Sequence, residues 1–251
     1  MTVALNADIG EAYGMWRLGD DEAIMPHVAL ANVACGFHAG DPVVMRDTVA
    51  LAQAHGVRVG AHPSYPDLQG FGRREMEMEA DELTAAIIYQ VGALRAFLDA
   101  AGLELNHLKP HGALYGRAAR DTAVAHAIAD AAEVFGVPVL GMAGTIHEAV
   151  YTSRGLRFVA EYYADLDYAD DGSLIITRQH SAYDPEEAVG RAVRAIVDGV
   201  AVARSGAEIP MRADCVCIHS DTPGAAELAG ALRAALDAIP TERSPWHDAM
   251  S

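Results

Sequence analysis

Two hydrophobic rhythms alternate along the chain. Short apolar runs occupy residues 3–9, 28–35, 57–61, 103–108, 137–141, 157–162 and 213–219. Their length and apolar character predict buried strands. Between them lie longer stretches with apolar residues three or four apart. Residues 79–101 are the clearest, with Ile87, Val91, Leu94 and Leu98 on one helical face. Further helices are predicted over residues 42–55, 121–135, 184 to about 205, and from 222 to just before Pro240. Asp41-Pro42 and Asp184-Pro185 each pair an N-cap acid with a first-turn proline, and Gly56 suits a C-terminal cap. A turn at Asp170-Asp171-Gly172-Ser173 precedes a short strand at 174–177.

Strand–helix alternation without a linker predicts a parallel sheet covered by helices. That pattern allows either a closed barrel or an open sheet. The polar residues that end the runs favour the barrel. Asp8, His38, His62, Lys109 with His111, Asp165, and His219 with Asp221 each follow an apolar run. A barrel gathers all strand exits into one ring at its C-terminal face, whereas an open sheet unites only those near a switch point. The expected fold is α/β: an irregular, TIM-like (β/α) barrel spanning residues 1–240 as one domain, then a poorly ordered tail at 241–251. The Gly- and Pro-rich segment from His62 to Arg74 is long for an unstructured connection, which points to a functional loop. His27, His55, His126, His147, His180 and His247 fall on helices or in loops and read as solvated or capping residues.

Charge narrows the partners. A formal charge of −17 and a pI near 4.9 disfavour nucleic acid and anionic membranes. No run of about 18 uncharged apolar residues occurs, and no basic region precedes the first strand. A cytoplasmic protein is the expectation. Lys109 is the one lysine among 18 basic residues, the other 17 being arginines. A compact ammonium, whose pKa burial can pull down, binds phosphate oxygens and can transfer a proton. Pro110, which fixes the local backbone, His111 and Gly112 follow it directly, as at a strand exit into a site. Cys35, Cys215 and Cys217 include no Cys-x-x-Cys and read as buried, reduced thiols. Neither a GxGxxG nor a Walker A sequence is present.

Several longer motifs carry a resemblance. They are Asn6-Ala7-Asp8-Ile9-Gly10-Glu11, Ala31-Asn32-Val33-Ala34-Cys35-Gly36-Phe37-His38-Ala39-Gly40-Asp41-Pro42, and Gly60-Ala61-His62-Pro63-Ser64-Tyr65-Pro66-Asp67. Gly70-Phe71-Gly72-Arg73 and Lys109-Pro110-His111-Gly112-Ala113-Leu114-Tyr115 continue them, with a weaker match at Ala164-Asp165. Through these stretches the chain resembles the LamB/YcsF family of 5-oxoprolinase A subunits. The resemblance implies a β/α barrel related to glycoside hydrolase and deacetylase barrels. It implies ATP-dependent opening of 5-oxo-L-proline to L-glutamate, together with 5-oxoprolinase subunits B and C. Asp8, Glu11, His38, Asp41, Lys109 and His111 are then the candidate catalytic residues. Asn6, Asn32, His62, Arg73, Tyr115, Asp165 and Asp221 are the candidate substrate-binding residues. By analogy with the deacetylase barrels, Asp8, His62 and His111 are candidate ligands of a divalent metal. Leu166 stands where an arginine is usual, which bears on substrate choice. A stand-alone metal-dependent amidohydrolase or deacetylase, and a non-catalytic partner within the complex, remain the alternative readings.

Overall fold

The seven short apolar runs close into one parallel barrel. A computed structural model describes residues 3–175 and 184–239. The first six barrel strands are β1 (Ala4–Ile9), β2 (Leu30–Ala34), β3 (Arg58–His62), β4 (Leu105–Leu108), β5 (Val139–Gly141) and β6 (Phe158–Tyr163). Two antiparallel hairpins follow, β7 (Asp167–Tyr168) with β8 (Leu174–Ile175), and β9 (Val200–Val202) with β10 (Glu208–Pro210). The last barrel strand is β11 (Cys215–His219). Around the barrel the order is β1-β11-β6-β5-β4-β3-β2.

Helices α1 (Asp21–Ile24), α2 (Pro42–His55), α3 (Ala80–Ala101), α4 (Gly112–Ala118), α5 (Thr122–Phe135), α6 (Ile146–Ser153), α7 (Pro185–Val197) and α8 (Ala225–Asp237) connect or follow the strands. Asp41, Asp121 and Asp184 cap α2, α5 and α7 by accepting backbone N–H bonds. The 22-residue α3 is long and apolar enough to cross a membrane by length and composition. Here Leu83, Ile87, Val91, Leu94 and Leu98 bury one of its faces in the shell around the barrel.

Two predicted boundaries move. The helix expected to reach residue 205 stops at Val197, and Gly199, at φ 69°, turns the chain into the β9–β10 hairpin. The last helix starts at Ala225 because Thr222 is held in a turn, its hydroxyl donating to Asp165. The short α1, α4 and α6 have too few turns to show a period. Residues 176 and 177, His180, His247 and the tail at 241–251 lie outside the described residues.

Inside the barrel, polarity rises toward the C-terminal ends of the strands. Ala4, Leu30, Leu140, Val159 and Cys215 form an apolar floor. Two residues further along the strands come Asn6, Asn32, Glu161 and Cys217, all buried. Two further again, Asp8, His62, Lys109, Tyr163 and His219 surround the mouth. Period-two alternation makes this ladder, since every second residue of a strand faces inward.

Candidate active site

A hydrogen-bonded column below the mouth fixes Asp8. The Asn6 amide donates to the Val216 carbonyl at 3.0 Å and its oxygen accepts from Asn32 at 2.8 Å. Asn32 also donates to Asp8 Oδ1 at 2.8 Å, and its oxygen accepts from His107 Nε2 at 2.6 Å. His107 passes over β3 so closely that a Cβ at Gly60 would lie 2.2 Å from its ring. Only glycine fits there.

On one side of Asp8 the mouth is charged. Lys109 Nζ donates to Asp8 Oδ1 at 2.8 Å, lies 3.4 Å from Glu161 Oε1, and contacts Cys217 Sγ at 2.9 Å. Burial would discharge the amine, but Asp8, Cys217 and Glu161 outweigh it and hold the pKa well above the usual lysine value. The amine therefore favours its charged form, which suits a cationic role rather than proton transfer. Asp8 is likewise buried, yet His62 and Lys109 keep its carboxyl well below the ordinary range. His219 contacts Asp165 through Nδ1 at 3.1 Å and reaches within 3.6 Å of Asp8 Oδ2 through Nε2. Burial opposes its charge, but Asp165 raises its pKa to about 9, so it is an imidazolium at neutral pH. Tyr163 stacks on His219 and stands 5.1 Å from Lys109 Nζ.

On the other side the mouth is made of imidazoles. Glu11 Oε1 lies 3.0 Å from His38 Nε2, 3.2 Å from His111 Nδ1 and 3.9 Å from His62 Nε2. His62 Nδ1 donates to the Lys109 carbonyl at 2.8 Å, and His111 Nε2 donates to the Phe71 carbonyl at 2.8 Å. Burial pushes the His38 pKa down to about 3 and also lowers that of His111. Burial would raise Glu11, but hydrogen bonds from His111 and His38 hold it well below the usual range. The long loop after β3 closes over this group. Phe71 is the one non-glycine residue with positive φ among the described residues, at 54°. Its strained backbone is what aims its carbonyl at His111. Gly72 follows, and a Cβ there would meet Ser64 Oγ at 2.3 Å and His111 Cδ2 at 2.6 Å.

A pocket of about 390 Å³, counted with space open to solvent, joins the two sides. Asp8, His62, Lys109, His111 and His219 supply its polar wall, and Tyr115, Tyr163, Leu166 and Leu174 its apolar one. Leu166 thus presents a buried apolar side chain to the pocket where a guanidinium was the usual expectation. Arg73 closes the outer rim, bonded to Asp221 at 2.7 Å, and also lines a wider groove containing Trp16, Phe71 and Arg74.

Of the predicted residues, Asp8, His62, Arg73, Lys109, His111 and Tyr115 line the pocket, while Glu11 and His38 stand behind the imidazoles. Others do not reach it. Asn6 and Asn32 lie one layer too deep and orient Asp8 instead. Asp41 caps α2 and accepts from the Gly14 amide at 2.7 Å, which makes it a loop anchor. Asp165 acts through His219, and Asp221 through Arg73. The expected metal set also shifts. Asp8 Oδ2 and His111 Nδ1 do flank His62 Nε2, at 3.2 and 3.0 Å. The donors lying within 4.8 Å of one another, however, belong to Glu11, His38, His62 and His111, and Asp8 falls in a separate group with Cys217 and His219. His147 is no solvated residue: it is fully buried, accepts from the Met142 amide and contacts the Tyr115 carbonyl. Glu161 and Tyr163 are absent from the predicted set, and His219 enters it only as a strand exit. A carboxylate at an inward position of an apolar strand is the available signal for Glu161.

Fold and mouth together define a parallel (β/α) barrel with a buried acid–imidazole–ammonium centre. The LamB/YcsF family profile matches residues 3–251, and the chain belongs to that family. It is 48% identical over 241 residues to a 5-oxoprolinase A subunit from Thermus thermophilus, covering 94% of this chain and 96% of that one. A lactam utilization protein lamB from Emericella nidulans is 44% identical over 237 residues, covering 93% of each. The crystal structure of a lactam utilization protein from Thermus thermophilus superposes with a TM-score of 0.87, at 48% identity, covering 94% of this chain and 96% of that one.

Proposed function

We propose that this chain is the A subunit of an ATP-dependent 5-oxoprolinase, acting with subunits B and C. The reaction is 5-oxo-L-proline + ATP + 2 H₂O → L-glutamate + ADP + phosphate. One observation carries the reading: ionised Asp8 and two cations, Lys109 and His219, face one small pocket in a chain so close to proteins of that name.

A lactam carbonyl is a poor electrophile, and phosphorylation of its oxygen makes the carbon open to water. Lys109 supplies a fixed positive charge for a phosphoryl group or a developing oxyanion. Asp8, held by Asn32 and Lys109, orients the attacking water. His219 carries the proton that the ring nitrogen needs as the C–N bond breaks. Arg73 at the rim suits the substrate carboxylate, and Leu166 and Leu174 suit the ring methylenes. A divalent ion beside His62 would supply carbonyl polarisation or a more acidic water. The sequence carries no phosphate-cradling loop, so the nucleotide belongs on a partner.

The test is release of ADP and glutamate by the purified chain with Mg²⁺, first alone and then with subunits B and C. Alone, turnover should stay below about 1 s⁻¹, under the ordinary enzyme range. Faster turnover would overturn the partner requirement. No glutamate from the full set would overturn the reading itself.

A further inference from the structure

We propose that Glu11, His38, His62 and His111 bind one divalent cation of the zinc class. The argument is one of lone pairs. A carbonyl oxygen can only accept, so His62 Nδ1, facing the Lys109 carbonyl, must carry a hydrogen. The same holds for His111 Nε2, facing the Phe71 carbonyl. With those nitrogens turned to carbonyls, His62 Nε2 and His111 Nδ1 are the ring atoms left pointing inward, and they face each other at 3.0 Å. Glu11 Oε1 lies 3.2 Å from His111 Nδ1 and 3.9 Å from His62 Nε2. His38 Nε2 joins them at 3.0 Å from Glu11 Oε1, so four buried ligand atoms lie within 4.8 Å of one another, the arrangement a bound cation requires.

The dimensions fit such an ion. Ligands at about 2.0–2.1 Å in a tetrahedron stand about 3.4 Å apart. The observed spacings of 3.0, 3.0, 3.2 and 3.9 Å bracket that value. Three imidazoles with one carboxylate suit zinc or cobalt better than magnesium or calcium, which prefer oxygen. The backbone carbonyls behind His62 and His111 do what outer partners of metal-bound histidines do, fixing tautomer and ring plane. The strained Phe71 and the glycine after it then have a purpose: they hold one ligand's tautomer.

Metal content is measured without turnover, so this proposal and the 5-oxoprolinase reading can fail separately. The whole chain is stripped with a chelator, dialysed against Zn²⁺ or Co²⁺, and assayed for bound metal by mass spectrometry and for the visible Co²⁺ band. Wild type should hold about one ion per chain. Glu11→Gln, which keeps shape and removes charge, and His38→Ala should each weaken binding at least about tenfold. His62→Ala should abolish the band, with circular dichroism reporting whether the variant is folded. Asp8→Asn should retain the ion. Wild type binding no more metal than a Glu11→Gln, His38→Ala double variant would overturn the site. Loss in Asp8→Asn with retention in Glu11→Gln would overturn the ligand assignment.

Discussion

On one side of Asp8 the barrel mouth holds an ammonium and an imidazolium among three carboxylates; on the other it holds three imidazoles around one carboxylate. The charged side is fixed by Coulomb pairs: Lys109 with Asp8 and Glu161, and His219 with Asp165. On the imidazole side Glu11 sits among His38, His62 and His111, and backbone carbonyls and the Phe71–Gly72 turn set the planes of His62 and His111. Each plan exposes a different weakness. A charge pair fails when a partner is removed, because the other ion stays buried and unpaired. A carbonyl-held ring fails when the backbone moves, even with every ligand present.

The largest effect should come from the charged side. Lys109→Arg should leave a folded protein that loses about 100-fold or more in glutamate release with partners present, about 2.7 kcal/mol. Guanidinium keeps the charge but is larger than the space between Asp8, Glu161 and Cys217. Retention of more than about a tenth of wild-type turnover would remove Lys109 from the chemistry.

The imidazole side should break through its loop. Gly72→Ala adds a Cβ at φ 64° against Ser64 Oγ and His111, so it should lower the melting temperature and weaken Zn²⁺ binding. The left-handed conformation alone costs about 1–2 kcal/mol for alanine. Unchanged metal affinity would show that the two sides do not differ in what holds them.

A smaller change should appear in pH dependence. His219 has its pKa raised from 6.5 to about 9. Its contribution to stability is full below about 6.5 and is lost as pH rises through about 9. Activity that needs the imidazolium should fall over the same upper limb. Asp165→Asn should move that limb of kcat/KM toward neutrality, and an unmoved limb would take His219 out of the proton path. The smallest effect is expected outside both sides. Asp41→Ala removes the α2 cap and should cost about 1 kcal/mol of stability while sparing turnover.

Much of this is legible in the sequence, for a physical reason. Barrel topology brings strand ends together whatever lies between them, so Asp8, His62, Lys109 and His111 can be grouped from position alone. Depth is not legible. Asn6 and Asn32 sit in motifs as prominent as Asp8, but one inward step below it they serve as props. Glu161 lies within an apolar run rather than after one, so strand-exit reasoning passes over it. Charge state is hidden as well. Burial alone would discharge Lys109, and only the convergence of β1, β6 and β11 on its amine reverses that. The Asp-Pro pair at Asp41 signals a helix cap, and that simpler role is the one it has.

The single lysine also sets what chemistry can find on the outside of this molecule. The residue is 1% exposed and its amine is bonded to Asp8, so amine-directed reagents meet no lysine on the surface. Cross-linkers built on such reagents would miss any partner docked around the barrel mouth. Arg74, whose side chain is half exposed, and the acidic side chains offer the handles there, and carboxyl- or arginine-directed probes are the ones suited to mapping where a partner sits.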